Sequence, residues 1–178
     1  EVYTSPVGRA VETARIISGL NEDMITLDKN LREINLGSWE GKLVKDIEMS
    51  YPLEYEMFWN EPHLYKRDGS ESYYEVQRRA MQTIDNIIKE YGKTERNILL
   101  VTHTITLKTI MAYFENRDFK DFWDPPFIYD TSLIIIEIGG GTKTIVLYGD
   151  IAHIANLEGY EFLKDNHFII NRLKGKEK

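Results

Sequence analysis

The chain has no cysteine. That excludes disulfides, thiolate zinc sites and a cysteine nucleophile, and it fits the cytoplasm. It also lacks any apolar run approaching the ~18 residues a transmembrane helix requires. No basic-then-apolar stretch of the signal-peptide kind opens it. Positive charge is in deficit: 22 Lys and Arg stand against 29 Asp and Glu, for a net charge of −7. An acidic chain is poorly suited to non-specific nucleic-acid binding, because nothing neutralises the phosphate backbone overall. A small anionic substrate needs only a local cluster of positive groups and stays open. Internal repeats, low-complexity segments and interdomain linkers are absent as well. What is present is ordinary: 42% apolar and 29% charged residues in 178 positions. This is one soluble globular domain, large enough to bury a core without staples.

Read along the chain, Glu1 to Thr4 is the tail of a strand that runs directly into a helix. Ser5 supplies a cap oxygen, Pro6 takes the first helical position and Gly19 ends the helix. Val11, Ala14 and Ile17 or Ser18 make its buried stripe. Residues 24–27 predict a short strand, and 30–41 an ordered loop in which Gly37 and Gly41 bracket Trp39 and Glu40. Lys45 to Met57 is weakly helical, interrupted at Pro52. Ser70 to Tyr91 is the clearest helix, with Ser72 and Glu75 as a capping box. Asn97 to Thr102 is apolar without alternation, as in a parallel strand buried on both faces. His103 ends it, and Thr104 to Phe114 is the next helix. Leu133–Ile138 and Lys143–Tyr148 form a hairpin closed by the Gly139–Gly141 turn. Strands alternating with helices predict an α/β fold, three-layer α/β/α with a mainly parallel central sheet. The ends of such strands are where ligands bind, and Ser5 and His103 both stand there.

Few residues are placed to carry chemistry. An imidazole at the position of His103 can donate to an anion lying at the helix N-terminus. Arg9, on the first turn of its helix beside another strand end, can clamp a phosphate with two parallel hydrogen bonds. Thr4 and Ser5 can add hydroxyl and backbone donors. Glu33 lies in the Leu31-Arg32-Glu33-Ile34 loop. A carboxyl group beside a phosphate is pushed toward its protonated form by like charge, which suits it to protonating a leaving oxygen. Taken singly, Arg9 reads as a surface cation and Glu33 as a partner of Arg32. His153 reads as structural, and His63 and His167 as surface residues. No His and carboxylate spacing supports a metal site.

The ordered set is more specific than its parts. Thr4-Ser5-Pro6-Val7-Gly8-Arg9-Ala10-Val11-Glu12-Thr13-Ala14 is followed by Leu31-Arg32-Glu33-Ile34 and Gly37-Ser38-Trp39-Glu40-Gly41. Ser70-Glu71-Ser72 then precedes a helix, and Leu100-Val101-Thr102-His103 closes a strand. This resembles the histidine phosphatase superfamily, the phosphoglycerate mutase-like proteins, from residue 1 to about residue 154. The resemblance implies metal-independent phosphoryl transfer without a cofactor. A histidine nucleophile becomes phosphorylated, a second histidine and two arginines hold the phosphoryl oxygens, and a carboxylic acid protonates the leaving alkoxide. By motif, Arg9 matches the second arginine, Glu33 the proton donor and His103 the second histidine. Ser5 and Thr104 join Arg9 and His103 as substrate-binding residues.

The chain departs from the family at two points. None of His63, His103, His153 and His167 is preceded by Arg and followed by Gly, so the family's Arg-His-Gly motif is not here. The chain is therefore expected to be a fragment lacking the family's first strand, and inactive as it stands. Thr104 stands where the family often has Gly. The short stretch between Gly41 and Ser70 is more like the small phosphatases than the glycolytic mutases. Residues 1–178 are expected to form one domain, with 155–178 an extension and a charged tail. The expected activity of the complete protein is hydrolysis of phosphate monoesters, its partner a small phosphorylated substrate and its location cytoplasmic, with no membrane or nucleic-acid role. A phosphoglycerate mutase and an inactive phosphate- or partner-binding domain are the alternatives. Tyr51, Tyr55, Phe58, Trp59 and Tyr65 can wall the site, or simply pack a cap region.

Overall fold

The computed structural model describes residues 1–155. The expected extension beyond residue 155, including His167 and the charged tail, lies outside them. Three short parallel strands form the centre: β1 (Val2–Thr4), β2 (Thr26–Leu27) and β3 (Leu99–Val101), in the order β2-β1-β3. Tyr3 pairs with Thr26 on one side and Leu100 on the other. The Ser5 N–H continues the ladder to the Val101 carbonyl at 2.9 Å.

Alternation along the strands sorts side chains into two cores. Val2, Leu99 and Val101 pack with Ala14 of α1 (Gly8–Ser18) and with Ile25. Leu100 faces the other way, onto Ala80 and Met81 of α4 (Tyr73–Tyr91) and Ile110 of α5 (Thr104–Glu115). These are the three expected layers. A separate antiparallel pair, β4 (Leu133–Gly139) and β5 (Thr142–Asp150), is the expected hairpin.

The long helix begins as its sequence predicts. The Ser72 hydroxyl accepts from the Glu75 N–H, and the Glu75 carboxylate accepts from the Ser72 N–H. The weakly helical stretch is two helices, α2 (Val44–Ser50) and α3 (Pro52–Asn60), because Pro52 starts the second one. They pack with α4 and α5 around an aromatic core of Trp39, Phe58, Tyr65, Tyr73, Phe119 and Phe122. Edge-to-face contacts run through it, Phe58–Tyr65 at 5.1 Å and Tyr73–Phe122 at 4.8 Å. Each buried ring contributes ~1.5–3 kcal/mol by leaving water, so this cluster is a main anchor of the cap. Of the aromatics that could wall a site, Phe58 and Tyr65 are therefore core, and cap packing explains them.

Three details differ from the sequence reading. Helix α1 starts at Gly8 with Val7 as its cap, so Ser5 is not the N-cap. Ala10 and Ala14 make its buried face while Ile17 is 63% exposed, because the helix starts later and small residues sit against the sheet. His63 is half-buried, with a buried Nδ1 that has no hydrogen-bond partner among the described residues, rather than a surface residue.

Candidate active site

Ser5 and His103 follow the adjacent parallel strands β1 and β3, so the sheet brings their side chains together although they lie far apart in sequence. The His103 ring is buried at the start of α5. Its Nδ1 stands 2.9 Å from Arg9 Nη2, and its Nε2 stands 2.8 Å from the Ser5 hydroxyl. A guanidinium can only donate, so Nδ1 accepts and Nε2 carries the proton, which it gives to Ser5. Burial, first, pushes the His103 pKa below its ordinary value; Glu33 opposes the shift, and Arg9 and Arg79 add to it. The ring is held neutral.

Glu33 reaches the same place from the 28–36 loop. Its Oε2 accepts from the Ile105 N–H at 3.1 Å. Its Oε1 accepts from the N–H groups of Ile34 and Thr106 at 3.0 and 3.1 Å, and from the Thr106 hydroxyl at 3.3 Å. The anion lying on the N-terminus of α5 is thus the Glu33 carboxylate. A helix N-terminus presents unpaired N–H groups and partial positive charge, and no side-chain cap comes from His103 itself. With Oε1 engaged three times and Oε2 once, the free lone pair lies on Oε2.

Arg9, Ser5, Glu33 and His103 therefore converge. The hydroxyl of Thr104, the first residue of α5, donates to Asp130 at 3.4 Å. His153 contacts the Thr131 hydroxyl at 3.2 Å, and Trp39 is core. An open hollow of about 480 Å³, lined by Tyr51, Glu54, Lys66, Arg67 and Asp68, contains none of these residues. Among the described residues, no group of three His, Cys, Asp or Glu side chains could hold a metal, and no helix is long and apolar enough to cross a membrane.

One side chain beside the site, Arg79, escaped the sequence reading. Arg79 of α4 donates to Glu71 and to the carbonyls of Asn30, Arg32 and Glu33. The available signal was spacing: Arg79 is three residues after Val76 and four before Thr83, both buried, so it lies on the inward edge of the helix.

The chain is similar to known proteins. Residues 1–151 match the profile of the histidine phosphatase superfamily (branch 1). The structure of Bacillus stearothermophilus YhfR is 41% identical and superposes with a TM-score of 0.78, covering 86% of this chain and 75% of that one. Phosphoserine phosphatase 1 of Hydrogenobacter thermophilus is 25% identical over 122 residues, 68% of this chain and 57% of that one. Fructose-2,6-bisphosphatase of Saccharomyces cerevisiae is 31% identical over 115 residues, 65% of this chain and 24% of that one. The chain thus spans about half the length of the first of these curated relatives and about a quarter of the second. With the profile running almost from end to end of the described residues, this chain belongs to the histidine phosphatase superfamily.

Proposed function

We propose that the complete protein is a phosphatase that hydrolyses small phosphate monoesters through a phosphohistidine, without a metal, in the cytoplasm. The observation that carries this reading is the convergence of Arg9, His103 and Glu33 at the ends of β1, β3 and the 28–36 loop. Among the described residues Arg9 spends one N–H on His103. Its remaining donors are available to a phosphoryl group, which a guanidinium binds through paired hydrogen bonds.

The nucleophile belongs to a strand outside these residues. Sheet geometry supports this: the order β2-β1-β3 leaves the far edge of β3 unpaired among the described residues, Leu99 to Val101 are half-buried, and β4 and β5 stand as a separate pair. A strand between β3 and β4 would join the two sheets and bring its end beside His103.

In the proposed reaction the nucleophilic imidazole nitrogen attacks phosphorus and the P–O ester bond breaks. A proton taken up on the free Oε2 lone pair of Glu33 from the substrate monoanion as it binds passes to the departing oxygen. Arg9 and His103 hold the phosphoryl oxygens, His103 through the proton it carries on Nε2. Glu33, now a carboxylate, takes a proton from water, whose oxygen attacks phosphorus and breaks the P–N bond. Preorganised charge is the main catalytic contribution, as in phosphoryl transfer generally.

The test is hydrolysis of a panel of phosphate esters by the full-length protein, with and without chelator. Turnover unchanged by chelator and trapping of an acid-labile phosphoenzyme are expected. Transfer of the phosphoryl group to a sugar acid instead of water would make the protein a mutase, and no phosphoenzyme at all would make it an inert binding domain.

A further inference from the structure

Glu33 stands in an irregular loop with no strand ladder to fix it, yet a proton donor must keep one position relative to the ester oxygen. Its carboxylate is held by α5. Its main chain is held from the other side, by α4. The Arg79 guanidinium donates from Nη1 to the carbonyls of Asn30 and Arg32 at 2.5 and 2.7 Å, and from Nη2 to the carbonyl of Glu33 at 3.1 Å. Its remaining donors go to Glu71, Nε at 2.7 Å and Nη2 at 2.9 Å. A guanidinium has five N–H groups, and all are spent. Arg79 has no donor left for a phosphate, in contrast to Arg9.

Glu71 completes the grip. Its carboxylate accepts from the Asn35 N–H at 2.9 Å, and its own N–H donates to the Asn35 carbonyl at 2.8 Å. The main chain is thus pinned before, at and after Glu33. Both partners are largely withdrawn from solvent, 17% and 25% exposed, so the pair is screened less than a surface ion pair.

We propose that Arg79, charge-balanced by Glu71, is a positioning residue for Glu33: it fixes the loop so that the carboxyl group meets the leaving oxygen while Arg9 and His103 hold the phosphoryl group. This rests on reading Glu33 as the proton donor. A lysine at position 79 keeps the charge but not the planar fork, so it cannot reach three carbonyls and a carboxylate together.

The experiment compares kcat/KM of the full-length protein for phenyl phosphate, whose phenoxide needs a proton to leave, and dinitrophenyl phosphate, which leaves without one. Arg79→Lys and Glu71→Gln should each lower the phenyl ester by roughly ten- to hundred-fold and the dinitrophenyl ester by less than about three-fold. Vanadate inhibition should be unchanged, because Arg9 and His103 stay in place. Adding Arg79→Lys to Glu33→Gln should cost nothing further on the phenyl ester. Equal losses on both esters, losses that add to those of Glu33→Gln, or wild-type rates in both variants would overturn the proposal. If Arg79→Lys does not fold, as read by circular dichroism, Glu71→Gln decides alone. Failure of the underlying reading is visible separately: Glu33→Gln by itself would then show no preference between the esters.

Discussion

Arg9 Nη2 and His103 Nδ1 face each other at 2.9 Å, a contact in which the cation is the donor and the imidazole must be neutral. The first prediction concerns that ring. Nitrogen NMR of the free protein should show Nε2 protonated and Nδ1 bare. Its titration midpoint should lie below the ordinary histidine value, chiefly because the ring is buried. Arg9→Gln should move it up, since a nearby positive charge is removed. Phosphate or vanadate should also move it up. A free-state ring protonated on Nδ1 would contradict the geometry. Turnover in the full-length protein should fall at least ~100-fold in Arg9→Ala or His103→Ala, as when one preorganised charge stabiliser is removed. The same ring makes stability depend on pH. The unfolded chain binds the proton more readily than the folded one, so stability declines as pH drops through the ordinary histidine range, and His103→Gln should flatten that decline.

Glu33 has two separable duties, and two substitutions divide them. Its carboxylate caps α5 through the N–H groups of Ile105 and Thr106. Glu33→Ala removes the cap and should cost about 1–2 kcal/mol in urea unfolding. Glu33→Gln keeps an acceptor oxygen at the helix end and should lose less than half as much. Both lose the proton donor, so both should be slow on esters with poor leaving groups. Equal destabilisation by the two variants would show that the cap is not made by a side-chain oxygen.

Most of the layer order was legible in the sequence because it rests on local patterns. The apolar run before His103, the Ser72–Glu75 capping box and the hairpin glycines each report on their own neighbourhood. That Arg9, Glu33 and His103 gather at the start of α5 was readable from motif order, whereas the bond from the Thr104 hydroxyl to Asp130 was not. What stayed hidden depends on contacts between distant segments. Ser5 resembles a helix cap, but its hydroxyl is taken by His103 across the sheet. Arg79 resembles any helical arginine until the 30–35 loop folds over it. The half-buried position of His63 likewise depends on tertiary packing rather than on its neighbours in sequence.

Gly37 and Gly41 flank the same turn, and both have positive φ, 58° and 74°. Their surroundings differ. A Cβ on Gly37 would run into the Gly69 carbonyl, whereas one on Gly41 meets nothing within 4 Å. Gly41→Ala should cost about 1–2 kcal/mol, the ordinary penalty of left-handed backbone. Gly37→Ala should cost more, about 2–4 kcal/mol, because the 37–39 turn must also part from the Gly69 loop. Thermal unfolding of the two variants side by side measures the difference, and equal midpoints would mean that the two loops do not touch.

Lys108 is 3% exposed on α5, and its ammonium donates to the carbonyls of Asp124 and Pro126 at 3.2 Å each, between the rings of Phe122 and Phe127. Among the described residues no carboxylate pairs with it. Burial, then the nearby Arg117 charge, pushes its pKa down to about 8. The sign for stability follows directly. Between pH 8 and the ordinary lysine range near 10.5, the unfolded chain holds a proton that the folded chain has released, so stability rises with pH. The whole interval corresponds to roughly 3 kcal/mol. Tyr65 and Tyr73 have raised pKa values through burial, so their opposing effect, loss of stability as unfolded tyrosines ionise, starts only near pH 10. The rise is therefore readable by urea unfolding between pH 8 and about 9.5. Lys108→Met should abolish it. A profile that is flat in the parent, or that rises equally in the variant, would mean that this ammonium keeps its proton in the folded protein.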